Sequence, residues 1–182
     1  MSDLQTPGQH PERFPTGPQP QVETLTPEER TRLLEALATL PDRFRVAFAG
    51  LTDAQLDTPY REGGWSLRQV AHHVPDSHMN AYIRTRLALS EEAPTIRPYD
   101  QAAWAALPDM SGEITVSLDL LQALHTRWVR LLSAIQPQDW ARTFVHPEYG
   151  RVYTLDGMLA SYAWHGQHHL TQVTRLRELK GW

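Results

Sequence analysis

The sequence predicts an all-α protein: a four-helix bundle with a long helix 2–helix 3 connection, a short hairpin before helix 4 and an extended N-terminal arm. Three observations carry this. Four long stretches place apolar residues at i, i+3 and i+4. Two of them open on complete helix-start signals. No long run shows the strict alternation of a half-buried strand.

Residues 1–21 read as an extended or disordered arm, and 22–182 as the bundle domain. Six of the fourteen prolines lie in 1–27, and apolar residues before Leu25 are scattered. Such an arm can still lie over the domain through Phe14. The first helix starts at Thr26-Pro27-Glu28-Glu29, with Thr at the N-cap, Pro at N1 and Glu at N3. Leu33, Leu34, Leu37 and Leu40 follow at helical spacing. Pro41 is expected to kink or restart this helix, which then continues through Phe44, Val46 and Phe48 to Gly50.

After a loop with Pro59 and Gly63-Gly64, Ser66-x-x-Gln69 opens a second helix over Leu67–Leu89. Residues 90–110 carry Pro94, Pro98 and Pro108, with a short helix around Asp100–Leu107. The third long helix covers Val116–Ile135 and stops before Pro137. Residues Thr143–Thr154 surround Tyr149-Gly150 with β-branched and aromatic side chains, the signature of a short hairpin. The fourth long helix runs over Leu155–Leu179, before Gly181.

Composition sets bounds. At 182 residues the chain is one domain's worth, and its net charge of −4 makes no electrostatic case for nucleic acid. With no cysteine, disulfides, thiolate-ligated zinc and a cysteine nucleophile are excluded. Neither a signal-peptide pattern nor a membrane-spanning apolar run is present, so a cytoplasmic location without membrane partners is expected.

The chemistry lies in the histidines. Six of the nine fall in two clusters, His72-His73 with His78, and His165, His168 and His169. His165 and His169 are i, i+4 on the fourth helix and share a face. With Tyr162 at zero, the apolar sector spans about ±60°; His169 falls at about −20° and His165 at about −60°, whereas His168 at about −120° points to the surface or behind the site. On the second helix, with Val70 at zero, His73 lies at about −60°, flanking the apolar sector, and His72 at about 200°, nearly opposite. His73, His165 and His169 are therefore the candidate ligands of one metal ion. Three neutral imidazoles leave coordination positions open, unlike the four-ligand closure of structural zinc. Such a set suits zinc, nickel, iron or copper.

Asp76, Ser77, Asn80 and Arg84 form a polar stripe beyond His73, costly beside a core unless it serves a site. Asp76 is a candidate proton acceptor or support for the ligands. Arg84 divides between a salt bridge and an anion contact. Pro75 removes a donor to the Ala71 carbonyl and is expected to kink the helix beside His73. His125 reads as a hydrogen-bonded structural histidine, His146 as a turn residue, and Trp104, Trp128 and Trp164 as core.

The runs PYREGGWSLRQVAHHVPDSHMNAYIRTRLAL, IRPYDQAAWAAL and YAWHGQHHLTQVTRLRELKGW resemble DinB/YfiT-like proteins, specifically the YfiT branch named as metal-dependent hydrolases. The resemblance covers about 22–182. It implies a four-helix bundle holding nickel or zinc on His73, His165 and His169, the residues that the helical angles select. It also implies similarity to S-transferases using a low-molecular-weight thiol of the bacillithiol or mycothiol type, and a homodimer acting on a small-molecule substrate. Pro75 departs from the family pattern. Three functions stay open: a thiol S-transferase acting on electrophiles, a hydrolase that activates water, and a non-catalytic metal-binding stress protein.

Overall fold

The computed structural model describes residues 14–182. Six helices and one hairpin are present among them: α1 Pro27–Phe48, α2 Asp53–Leu56, α3 Leu67–Ser90, α4 Gln101–Trp104, α5 Ile114–Leu132, β1 Thr143–His146, β2 Arg151–Thr154 and α6 Leu155–Lys180. Only α1, α3, α5 and α6 are long, and they form the four-helix bundle.

The start signals work as their chemistry requires. Thr26 Oγ1 accepts from the Glu29 N–H at 3.2 Å while Glu29 Oε2 accepts from the Thr26 N–H at 2.8 Å. Ser66 and Gln69 make the same reciprocal pair at 3.1 and 3.0 Å. Neither internal proline ends its helix: α1 passes Pro41 and α3 passes Pro75 as continuous helices. Each lacks only one i→i−4 bond, which the packing of a long buried helix tolerates. The helix expected over Asp100–Leu107 is shorter, with a separate 3₁₀ turn at Pro108–Ser111. The hairpin pairs Thr143 with Thr154 and His146 with Arg151. A parallel bridge from Thr95 to Val145 ties the α3–α5 connection to it. Gly181, at φ 69°, closes α6 in the left-handed conformation.

Helix α1 packs against α5 and α6, and α3 packs against the same two. The sequential pairs α1/α3 and α5/α6 are therefore diagonal, each joined by a long connection. The apolar interior divides in two. One cluster gathers Leu40, Phe44, Val70, Leu121 and Val173; the other gathers Leu37, Ala81, Trp128, Leu155 and Leu159. On α3, α5 and α6 the histidines at 78, 125 and 165 fall between these clusters in chain position. The middle of the bundle is a polar layer.

Of the N-terminal arm, residues 1–13 lie outside the described residues. The remainder runs along α6: Phe14 packs on His168, Thr16 Oγ1 meets His168 Nδ1 at 3.2 Å, and Gln19 Nε2 donates to Ser161 Oγ at 2.7 Å. Trp128 is fully buried, but Trp104, expected in the core, is 37% exposed and packs tilted against Tyr99 at 4.4 Å. Its short helix rides on the outside of the bundle. Among the described residues no helix is long and apolar enough to cross a membrane.

Candidate metal centre

His73 on α3 and His165 and His169 on α6 converge, each offering one ligand atom, with all three atoms within 4.8 Å of one another. His73 Nε2 and His165 Nε2 are 3.3 Å apart. A tetrahedral cation with bonds of ~2.0–2.1 Å sets ligand nitrogens ~3.3 Å apart, so this pair has the separation that one ion requires. The α3/α6 contact makes this possible, because adjacent helices bring the flank of one against the i, i+4 face of the other.

The donor atoms are in the right state. Burial pushes the pKa of each of the three rings well below its ordinary value, and neighbouring histidines push further in the same direction. The rings are neutral, and neutral imidazole is the ligating form. For His169 the tautomer is fixed. Its Nδ1 lies 2.8 Å from Gln172 Oε1, which can only accept, so Nδ1 carries the proton and Nε2 keeps its lone pair. Gln172 is oriented in turn by donating Nε2–H to His168 Nε2 at 2.9 Å.

His168 is thus behind the site, as its angle suggested. It is buried beneath Phe14 and Trp164 because the arm covers that face. His72 is also buried, but toward α5: Nδ1 meets Ser117 Oγ at 2.7 Å and Nε2 meets the Gly112 carbonyl at 3.2 Å. Trp65, which the sequence reading did not single out, packs 4.5 Å from the His73 ring and stacks 6.4 Å from His169. It lies before the N-cap, outside any helical periodicity, so no face argument reaches it.

The two polar residues of the stripe differ in reach. Asp76, at i+3 from His73, is ~4.5 Å further along the axis; Arg84, at i+11, is ~16 Å further. Asp76 is half-buried, and burial together with the Asp109 carboxylate raises its pKa to about 6. Arg84 is only 9% exposed, yet among the described residues no carboxylate or hydrogen-bond acceptor pairs with it. Its charge helps burial to depress the pKa of His146, whose Nδ1 is buried without a partner. His146 is therefore more than a turn residue, since it ends β1 facing inward and stacks on Tyr149 at 4.4 Å. Tyr99 Oη is buried beside Ser77, and burial raises its pKa to about 12.

A four-helix bundle carrying an inward three-histidine group defines a class of metal-site bundle proteins. Residues 36–173 match the DinB superfamily, and the chain belongs to that family. It is 47% identical over 170 residues to "Putative metal-dependent hydrolase" of Bacillus mycoides strain KBAB4, covering 93% of this chain and 98% of that one. To "Putative metal-dependent hydrolase YfiT" of Bacillus subtilis it is 44% identical, covering 93% and 96%. The solved structure of Bacillus subtilis YfiT, described as an unusual four-helix bundle topology, superposes with a TM-score of 0.92 at 43% identity over 94% of this chain and 99% of that one. TT2238, a four-helix bundle protein, shares the fold at a TM-score of 0.54 and 24% identity, over 80% of this chain and 98% of that one.

Proposed function

We propose that this protein is a metal-dependent enzyme that transfers a low-molecular-weight thiol of the bacillithiol type onto small electrophiles. The observation that carries the reading is the pairing of three neutral ligands with a buried, unpartnered Arg84 three turns away. His73, His165 and His169 would hold a divalent cation, zinc or nickel, which would supply Lewis acidity toward a thiol or water. Arg84 is too far along α3 to touch a group at that centre. It fits a carboxylate or other anion at the distal end of an extended cosubstrate. Asp76, nearer the ligands, accepts the thiol proton. The thiolate sulfur forms a bond to the electrophilic carbon, and the leaving group departs with its bonding pair. Trp65 shields the ligand rings from bulk water. The proposal includes a homodimer in the cytoplasm, on the resemblance alone.

The test is a thiol-plus-electrophile screen on natively purified, elementally analysed protein, with and without chelator. Thiol consumption that chelator abolishes and added metal restores supports the reading. Arg84→Ala is expected to raise KM for the thiol by about 10- to 100-fold with unchanged metal content. Turnover of esters, amides or phosphoesters without thiol would establish a hydrolase instead, the activity for which the relatives are named. Metal content without turnover in either screen would leave a non-catalytic binding protein.

Asp76 gives this activity a pH signature. As a proton acceptor it works ionised, so the rate falls as pH drops through about 6. In Asp76→Asn that acid limb disappears along with most of the rate. An unchanged limb in the variant's pH–rate profile would remove Asp76 from the mechanism.

A further inference from the structure

A line of hydrogen bonds crosses all four long helices and ends on the candidate metal centre. It begins in α1. The Leu37 carbonyl would ordinarily accept from the N–H four residues on, but that residue is Pro41, which has none. His125 Nδ1 of α5 takes the carbonyl instead, at 2.6 Å. His125 Nε2 lies 2.9 Å from His78 Nδ1 on α3, and His78 Nε2 lies 3.1 Å from His165 Nδ1 on α6. His125 and His78 are 1% and 0% exposed, so bulk solvent does not reach their rings.

The line has one self-consistent direction while its rings are neutral. A carbonyl oxygen only accepts, so His125 Nδ1 carries the proton and His125 Nε2 is bare. His78 Nδ1 must then donate to it, leaving His78 Nε2 bare. His165 Nδ1 must donate to that. His165 Nε2 is left with a lone pair, and it is this atom that faces His73 Nε2 at 3.3 Å. A free neutral imidazole populates both tautomers, and the Nε2–H form cannot ligate through that atom.

We propose that His125 and His78 are positioning residues that lock His165 in its Nδ1–H tautomer and so present the Nε2 lone pair to the cation. This rests on reading His73, His165 and His169 as a metal centre. The chain of rings occupies the layer between two apolar clusters, where three polar side chains are a liability unless every group is satisfied. It is satisfied throughout, from a carbonyl released by a helix-internal proline to a candidate ligand. Ligating histidines ordinarily have their other nitrogen held by a carboxylate, carbonyl or water. Here the carbonyl acts at a distance, through two intervening imidazoles.

The test uses the full chain, labelled with ¹⁵N-histidine and free of metal, in two-bond ¹H–¹⁵N correlation spectra. The expected result is Nδ1–H with bare Nε2 for His125, His78 and His165. His165 with Nε2–H overturns the lock. Co(II) titration of variants supplies the second readout. His125→Leu removes the acceptor for His78 and frees both downstream tautomers; Co(II) affinity is expected to fall about 10- to 100-fold. His125→Gln keeps an acceptor oxygen toward His78 and should retain affinity within a few-fold. A folded His125→Leu protein with wild-type affinity and His165 still Nδ1–H overturns the lock, and should that variant fail to fold, the wild-type and His125→Gln spectra decide. Wild-type protein that shows the expected tautomers but binds no Co(II) overturns the metal reading instead, and with it the purpose of the lock.

Discussion

Replacing His169 with alanine should abolish stoichiometric binding of a divalent cation, while His72→Ala should leave it intact. Both residues are buried histidines on bundle helices, and each ring makes no more than two hydrogen bonds. Only their direction differs. His169 contributes one of three converging ligand atoms, and its Nδ1 proton is pinned by Gln172 so that Nε2 points inward as a lone pair. Removing it leaves two ligands. Loss of a residue merely behind a ligand costs about 10- to 100-fold in affinity, so loss of the ligand itself should exceed a hundredfold. His72 spends both ring nitrogens on Ser117 and Gly112, on the far side of α3. His168→Ala should fall between, keeping the stoichiometry but weakening affinity about tenfold, because Gln172 loses the acceptor that orients it. Elemental analysis and Co(II) titration of the folded variants measure all three. Equal loss for His72→Ala and His169→Ala would end the facial argument on which the centre stands.

That argument was available in the sequence because a helical angle depends only on spacing. His165 and His169 share a face by i, i+4, and the flank position of His73 follows from the apolar set around Val70. The hairpin was equally legible, since β-branched and aromatic residues bracket Tyr149-Gly150. What spacing does not give is a partner. His78 and His125 were visible as residues, but their connection needs α5 beside both α1 and α3, and that adjacency comes from diagonal crossovers no local pattern encodes. Pro41 shows the same limit. Its missing N–H was plain in the sequence, and a kink or restart followed from treating the helix alone. In the fold, a histidine 88 residues further along supplies a donor to the orphaned carbonyl, and the helix runs on. Trp104 fails for the opposite reason. Its size argues for burial, but its short helix is attached to the outside of the bundle.

The largest loss of stability is expected away from the histidines, from Asp156→Ala. Asp156 sits in the first turn of α6, 2% exposed. Its carboxylate accepts three hydrogen bonds: from the Leu25 N–H at 3.0 Å, Arg30 Nε at 2.7 Å and Arg30 Nη2 at 2.8 Å. The arginine is itself largely buried, with its guanidinium over the Trp140 ring at 5.2 Å. An intact pair of this kind contributes little net stability relative to apolar residues of the same shape, since both ions were taken out of water. Breaking it is another matter. Alanine leaves a desolvated guanidinium and a buried backbone N–H with no acceptor, at a cost of about 3–5 kcal/mol. For a chain of this length that lowers Tm by roughly 6–20 °C. Asp156→Asn keeps an acceptor for Leu25 and should lose less. Urea unfolding of the two variants measures the difference, and a cost below about 1 kcal/mol for alanine would show that Arg30 escapes to solvent. The same contact joins α6 to α1 at the end remote from His169. Variant protein that remains folded should therefore bind Co(II) with nearly wild-type affinity, separating the anchor of the helix from the centre it carries.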